Sequence, residues 1–212
     1  MDREAPASDP SSAPGGARSN AEEVILPHEK EHKGWHGRGY LPHFDSPECI
    51  QHIVFRTFGS LPRDLMNGID GTPDQRREIY GQLLDHSQLG QAFLSKTTAN
   101  IMEATLRYHH GQKYTLFAWC IMPNHVHVMI ECFTGYRLGD VIKEWKSYSA
   151  RKINLSLNQN GKVWAPDYFD RFVRNEDQFY QTKFYIENNP VTANLVSKPE
   201  LWQWSSAYRS KH

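Results

Sequence analysis

The stretch KYTLFAWCIMPNHVHVMIECF, residues 113–133, decides how this chain folds. It holds two apolar runs, Lys113 to Met122 and His125 to Phe133, with only Pro123-Asn124 between them. Runs that rich in β-branched and aromatic residues read as strands, and so short a connection makes them an antiparallel hairpin. The second run alternates: Val126, Val128, Ile130 and Cys132 point one way, as a core face should. His125, His127, Met129 and Glu131 point the other way. Residues two apart on a strand are roughly 6.6 Å apart, so two imidazoles can converge on one cation with bonds of about 2.1 Å. A His-x-His pair is also a common occupant of a strand's solvated face, and alone it decides nothing.

Working outward, Ile50 to Thr57 is apolar and β-branched enough for an earlier strand. A helix is expected from Pro73, carrying Ile79, Leu83 and Leu84, and a second over Leu89 to His109. In the second, Phe93, Leu94, Ile101, Ala104 and Leu106 are expected inward, with His109-His110 at its end. After the hairpin, Leu138 to Leu155 places Val141, Ile142, Trp145 and Tyr148 at helical spacing. Tyr168 to Arg174 reads as a strand, and Asp177 to Asn188 as a helix that Pro190 stops. Strand, helices, hairpin, helix, strand, helix is the order of an α+β domain with helices packed on an antiparallel sheet. Residues 1–33, rich in Ala, Pro, Ser, Gly and Glu, are expected to form a flexible tail, and 34–212 one domain.

The chain has 212 residues, and its 24 Lys+Arg balance its 24 Asp+Glu. With 39% hydrophobic residues a wholly disordered chain is excluded. Neutrality hides an asymmetry: residues 113–212 carry 13 basic and 9 acidic side chains, residues 1–112 carry 11 and 15. Between 137 and 174, eight basic residues interleave with Tyr136, Trp145, Tyr148, Trp164, Tyr168, Phe169 and Phe172 nearby or among them. Cations with flat rings suit single-stranded nucleic acid, although a solvated helix face over a core has the same composition. No apolar stretch is long enough to cross a membrane, no secretory h-region opens the chain, and Cys49, Cys120 and Cys132 suggest no disulfide framework. A cytoplasmic protein is expected.

Tyr185 and Asn189 are four apart and share a helix face, with Asn189 placed by Pro190 at that helix's frayed end. A half-buried ring and a C-terminal cap would read the same way. Together with the histidine pair the set gains a chemical reason. Two neutral imidazoles and a neutral amide leave the charge of a cation such as Mg²⁺ or Mn²⁺ facing outward, suited to polarising a phosphodiester. A tyrosine hydroxyl beside it is a plausible nucleophile.

These residues resemble a known family. Met122-Pro123-Asn124-His125-Val126-His127 resembles the His-hydrophobic-His motif of HUH endonucleases, in the wording of the insertion sequence 200-like single-tyrosine transposases. Trp145-Lys146-Ser147, Gly161 to Trp164, Tyr168-Phe169-Asp170-Arg171, Val173-Arg174 and Tyr185 through Val191 strengthen that likeness, and the ending Trp202 to Ala207 is also similar to the REP-associated tyrosine transposases. The likeness runs from about residue 35 to 209. Trp164-Ala165, Thr192 and Asn194 depart from the family's usual wording, which bears on phosphate contacts and leaves the ligand positions intact.

The resemblance implies a ferredoxin-like or RRM-like fold with His125 and His127 on a central strand. It implies Tyr185 as nucleophile, Asn189 as third metal ligand, Mg²⁺ or Mn²⁺ as cofactor, and single-stranded DNA with hairpin or palindromic repeats as partner. Nicking would proceed through a 5′-phosphotyrosine. Lys146, Arg151, Arg171 and Arg174 are the candidate phosphate contacts, and Trp145 and Trp164 serve either base stacking or the core. Two other classes are weighed: a domesticated module that binds hairpin DNA or RNA without cutting, and a zinc hydrolase. Covalent adduct formation separates the first, zinc content without DNA affinity the second.

Overall fold

The computed structural model describes residues 33–38, 41–62, 71–87, 89–90 and 95–209. The expected tail, apart from Lys33, and the inward positions Phe93 and Leu94 lie outside these residues. The strands are β1 (Gly34–Arg38), β2 (Leu41–Asp45), β3 (Ile50–Thr57), β4 (Tyr114–Ile121), β5 (His125–Cys132) and β6 (Trp164–Phe172). The helices are α1 (Pro73–His86), α2 (Lys96–Tyr108), α3 (Leu138–Ser156) and α4 (Glu176–Thr192), followed by a short 3₁₀ turn at Pro199–Leu201.

The hairpin forms as the sequence predicts: β4 and β5 pair antiparallel, Ile121 opposite Val126. The sheet order is β4-β5-β3-β6, all antiparallel, while β1 and β2 form a separate ribbon. The fold is α+β. Because side chains alternate across a strand, each strand feeds two cores. On one face Ile53, Phe55, Tyr114, Val126, Val128, Ile130 and Trp164 pack with Ala99, Met102 and Leu106 of α2 and Val141, Ile142 and Trp145 of α3. On the other, Ala118, Cys120 and Met129 pack with Ile186 of α4, and Val54 packs with Tyr80 and Leu84 of α1. The histidine face is therefore roofed by two helices and not solvated.

Several boundaries differ from expectation, each for a local reason. The helix expected from Leu89 begins at Lys96, because Gly90 takes φ +65° and accepts a bond from the Thr57 hydroxyl. A Cβ there would lie 2.7 Å from Thr57 Oγ1, so only glycine permits this close approach. Within α2 the inward row is Thr98, Ala99, Met102, Thr105 and Leu106; Ala104 is exposed and Ile101 only partly buried. Tyr148 of α3 is exposed and Ser149 is buried in its stead, taking the Trp164 indole N–H at 2.9 Å. The last strand starts at Trp164, four residues before Tyr168.

Pro190 does not stop α4, which runs on to Thr192. A proline forfeits one N–H and crowds the turn before it, about 3 kcal/mol in a helix interior. Here the turn is retained by Ala193 N–H on the Asn189 carbonyl (3.0 Å) and Leu195 N–H on the Pro190 carbonyl (2.9 Å). Asn189 is consequently held inside the helix and buried, not frayed at its end. At the other edge, the Asp170 carboxylate accepts from His43 and from the Phe44 N–H, tying the β1–β2 ribbon to β6.

Candidate metal centre and nucleophile

β5 carries His125 and His127 onto the face covered by α1 and α4, and both are buried, at 0% and 1% exposure. That removes the reading of a solvated histidine pair. Their Nε2 atoms are 2.9 Å apart. Two ring nitrogens that close need a positive species between them, a proton or a cation. Adjacent corners of an octahedron with bonds of about 2.1 Å lie about 3.0 Å apart, so the spacing fits a shared metal ion.

The rings are oriented from behind. Asn124 Nδ2 donates to the carbonyls of Leu84 (3.1 Å) and Ser87 (3.0 Å), which leaves its Oδ1 to face His125 Nδ1 at 2.7 Å. With that oxygen as acceptor, His125 Nδ1 is the donor and Nε2 is the ring nitrogen turned inward. Behind His127, Nδ1 meets His52 Nε2 at 3.1 Å. Burial, then the neighbouring His125 and His52, hold His127 well below the ordinary histidine range, so it is a neutral imidazole with a lone pair available.

A third donor comes from the end of α1. The ligand atoms of Asp85, His125 and His127 all lie within 4.8 Å of one another, with Asp85 Oδ1 3.3 Å from His125 Nε2. The Oδ1 atoms of Asp85 and Asn189 are both buried and have no hydrogen-bond partner among the described residues. The Asp85 oxygen and the two imidazoles form a donor set that fits a divalent cation, and Asn189 offers a further buried acceptor on α4.

Tyr185, on α4, is 44% exposed and packs its ring edge-on against His127 and His52, with centroids 5.6 and 5.9 Å apart. Its hydroxyl reaches α1: a Cβ built on Gly81 would stand 3.0 Å from Tyr185 Oη. The tyrosine thus joins the histidine face while keeping an open side. Asn189 lies one turn further along the same helix.

The four basic candidates separate. Arg171 sits on β6 opposite His52, on the histidine face. Lys146 and Arg151 belong to α3, on the sheet's other face. Lys146 Nζ donates to the carbonyls of Ala165 (3.0 Å), Pro166 (3.3 Å) and Asp167 (2.9 Å), bracing the start of β6. Arg151 is exposed, and Arg174 stands 5.2 Å over the Phe172 ring. Trp145 and Trp164 are both core residues.

Three residues escaped the sequence reading. His52 and Arg56 share the histidine face of β3, where Arg56 is buried opposite His125. Their signal was the alternation of His52, Val54 and Arg56 against Ile53 and Phe55. For Asp85 the signal was its place in the last turn of α1, where the helix dipole disfavours an anion.

Residues 90–189, a little under half of the chain, match the family described as IS200-like transposases. His125, His127, Tyr185 and Asn189 fall inside the matched stretch; His52 and Asp85 fall outside it. Among individual proteins, the chain is similar to the REP-associated tyrosine transposase of Escherichia coli K12, at 21% identity over 109 residues. That match covers 51% of this chain and 64% of the relative, under two thirds of the relative's length. In fold it is similar to the solved structure of a REP-associated tyrosine transposase bound to a REP hairpin. That likeness has a TM-score of 0.50 and 14% identity, and covers 77% of this chain and 79% of the other. Among the described residues no helix is long and apolar enough to cross a membrane.

Proposed function

We propose that this protein nicks and rejoins single-stranded DNA, with Tyr185 as nucleophile and His125, His127 and Asn189 holding a divalent cation. The observation that carries the reading is the edge-on packing of the half-open Tyr185 ring against His127, one of two converging imidazoles. Asn189, with a buried and unmet Oδ1 one helical turn beyond the tyrosine, supports the ligand role. When bound, Mg²⁺ or Mn²⁺ would polarise the phosphodiester and offset charge gathering on its oxygens.

The remaining work belongs to the chain. Asn124 and His52 hold the imidazoles in position, and α1 together with the histidines fixes the tyrosine ring. The Tyr185 oxygen bonds to phosphorus as the P–O3′ bond breaks; the phenol's lost proton is balanced by the one the 3′ oxygen gains. The products are a 5′-phosphotyrosine and a free 3′-OH. Because the ester keeps the energy of the broken bond, reversal rejoins a strand without ATP. Arg171, the cross-strand neighbour of His52, is our candidate for a phosphate contact. A hairpin-bearing substrate is proposed because the similar solved protein is bound to a REP hairpin.

The test uses a labelled single-stranded oligonucleotide with a hairpin, incubated with the full chain and Mn²⁺. A covalent adduct that needs the metal and disappears in Tyr185→Phe is expected. Hairpin binding that persists without any adduct, and survives loss of both His125 and His127, would favour the non-cutting module instead.

A further inference from the structure

We infer that Asp85 is an anionic ligand of the same cation, supplied by α1 and not by the tyrosine helix. The inference rests on the metal reading above. A carboxylate taken out of water costs several kcal/mol unless a cation or hydrogen bonds compensate. The Asp85 side chain is 6% exposed, and its Oδ1 has no hydrogen-bond partner among the described residues. It stands 3.3 Å from His125 Nε2, the ring nitrogen that Asn124 turns inward. The carboxylate also occupies the last turn of α1, against the helix dipole, so local helix energetics do not explain it.

What does place it is Asn124. The same side chain that orients His125 binds the carbonyls of Leu84 and Ser87, the residues flanking Asp85 at close range. One amide thus sets the spacing between an imidazole and a carboxylate that come from separate elements. A hard anionic oxygen favours Mg²⁺ or Mn²⁺ over softer ions and lowers the net charge of the occupied site by one. Asp85 also lies four residues after Gly81, the residue facing the Tyr185 hydroxyl, so one face of α1 serves both donor set and tyrosine.

Mn²⁺ binding to the full chain, followed by loss of the free-ion EPR signal, tests this without any DNA. Asp85→Asn should weaken binding at least 10-fold. It should also cut the Mn²⁺-induced rise in melting temperature, since a 10-fold loss is about 1.4 kcal/mol. Without metal, the variant should melt no lower than wild type, because a buried uncompensated charge is gone. Wild-type Mn²⁺ affinity in Asp85→Asn, with binding abolished in His125→Ala/His127→Ala, would overturn the inference alone. A metal-free melting temperature several degrees below wild type would overturn it too, by marking Asp85 as a structural partner of His125. Undiminished binding in the double histidine variant would instead bring down the underlying metal reading.

Discussion

Replacing Gly81 by alanine should separate stability from chemistry. Gly81 lies inside α1 with an unstrained helical backbone, so alanine is the better residue there by about 0.8–1 kcal/mol. For a chain of this size that raises the melting temperature by roughly 2–4 °C. The new Cβ, however, would stand 3.0 Å from Tyr185 Oη, where ordinary contact begins near 3.4 Å. The far end of a half-exposed ring gives way cheaply, so the hydroxyl moves by roughly 0.4 Å and little of the stability gain is lost. Since a displacement of about 1 Å at a reacting atom costs about 100-fold, this shift predicts adduct formation slowed about 5- to 10-fold. Thermal unfolding and single-turnover adduct formation on a labelled hairpin oligonucleotide measure the two effects. Unchanged adduct kinetics in a stabilised Gly81→Ala protein would refute the claim that α1 sets the position of the tyrosine hydroxyl. A lowered melting temperature would refute the claim that the ring yields.

Asn124→Ala removes the bonds to Leu84 and Ser87 and the acceptor for His125 Nδ1. It should lower stability by about 3 kcal/mol, seen as a lower denaturation midpoint, and weaken Mn²⁺ binding 10- to 100-fold by titration. Lys146→Met should cost about 1–3 kcal/mol of stability through three stranded carbonyls while leaving the salt dependence of hairpin binding unchanged. Arg151→Ala should leave stability alone; if Arg151 meets a phosphate, the slope of log affinity against log salt falls by roughly 0.7 to 0.9. Tyr114 predicts an alkaline transition: burial pushes its phenol up to about 12 from 10. The unfolded chain then loses this proton first, so stability falls as pH rises from about 10 to 12, by up to about 2.7 kcal/mol. Tyr114→Phe should flatten that decline in denaturant titrations while costing about 1–2 kcal/mol at neutral pH, where Trp145 Nε1 and the Leu106 carbonyl lose their partner.

Local periodicity determined much of this protein. The hairpin, strand β3, helix α1 and the sidedness of Val126, Val128 and Ile130 were legible because alternation and spacing record which face is buried. The two histidines and the tyrosine could be singled out as candidates because their residue types and spacing sit in short contiguous segments. Burial of the histidine face was not, since α1 and α4, which roof it, lie far from β5 in the chain. Pro190 misled for a related reason: its local cost was real, but the carbonyl bonds that follow it and the burial of Asn189 keep the helix intact. Lys146 read as a candidate phosphate contact because charge is visible in sequence and the three carbonyls that bind it are not. The set that only tertiary structure decided is Asp85, His52 and Arg56, brought to His125 and His127 from other elements by strand pairing and by one asparagine. A strand's own pattern specifies which side chains share a face; which distant groups meet them there is settled by packing, where contacts carry no trace of sequence separation.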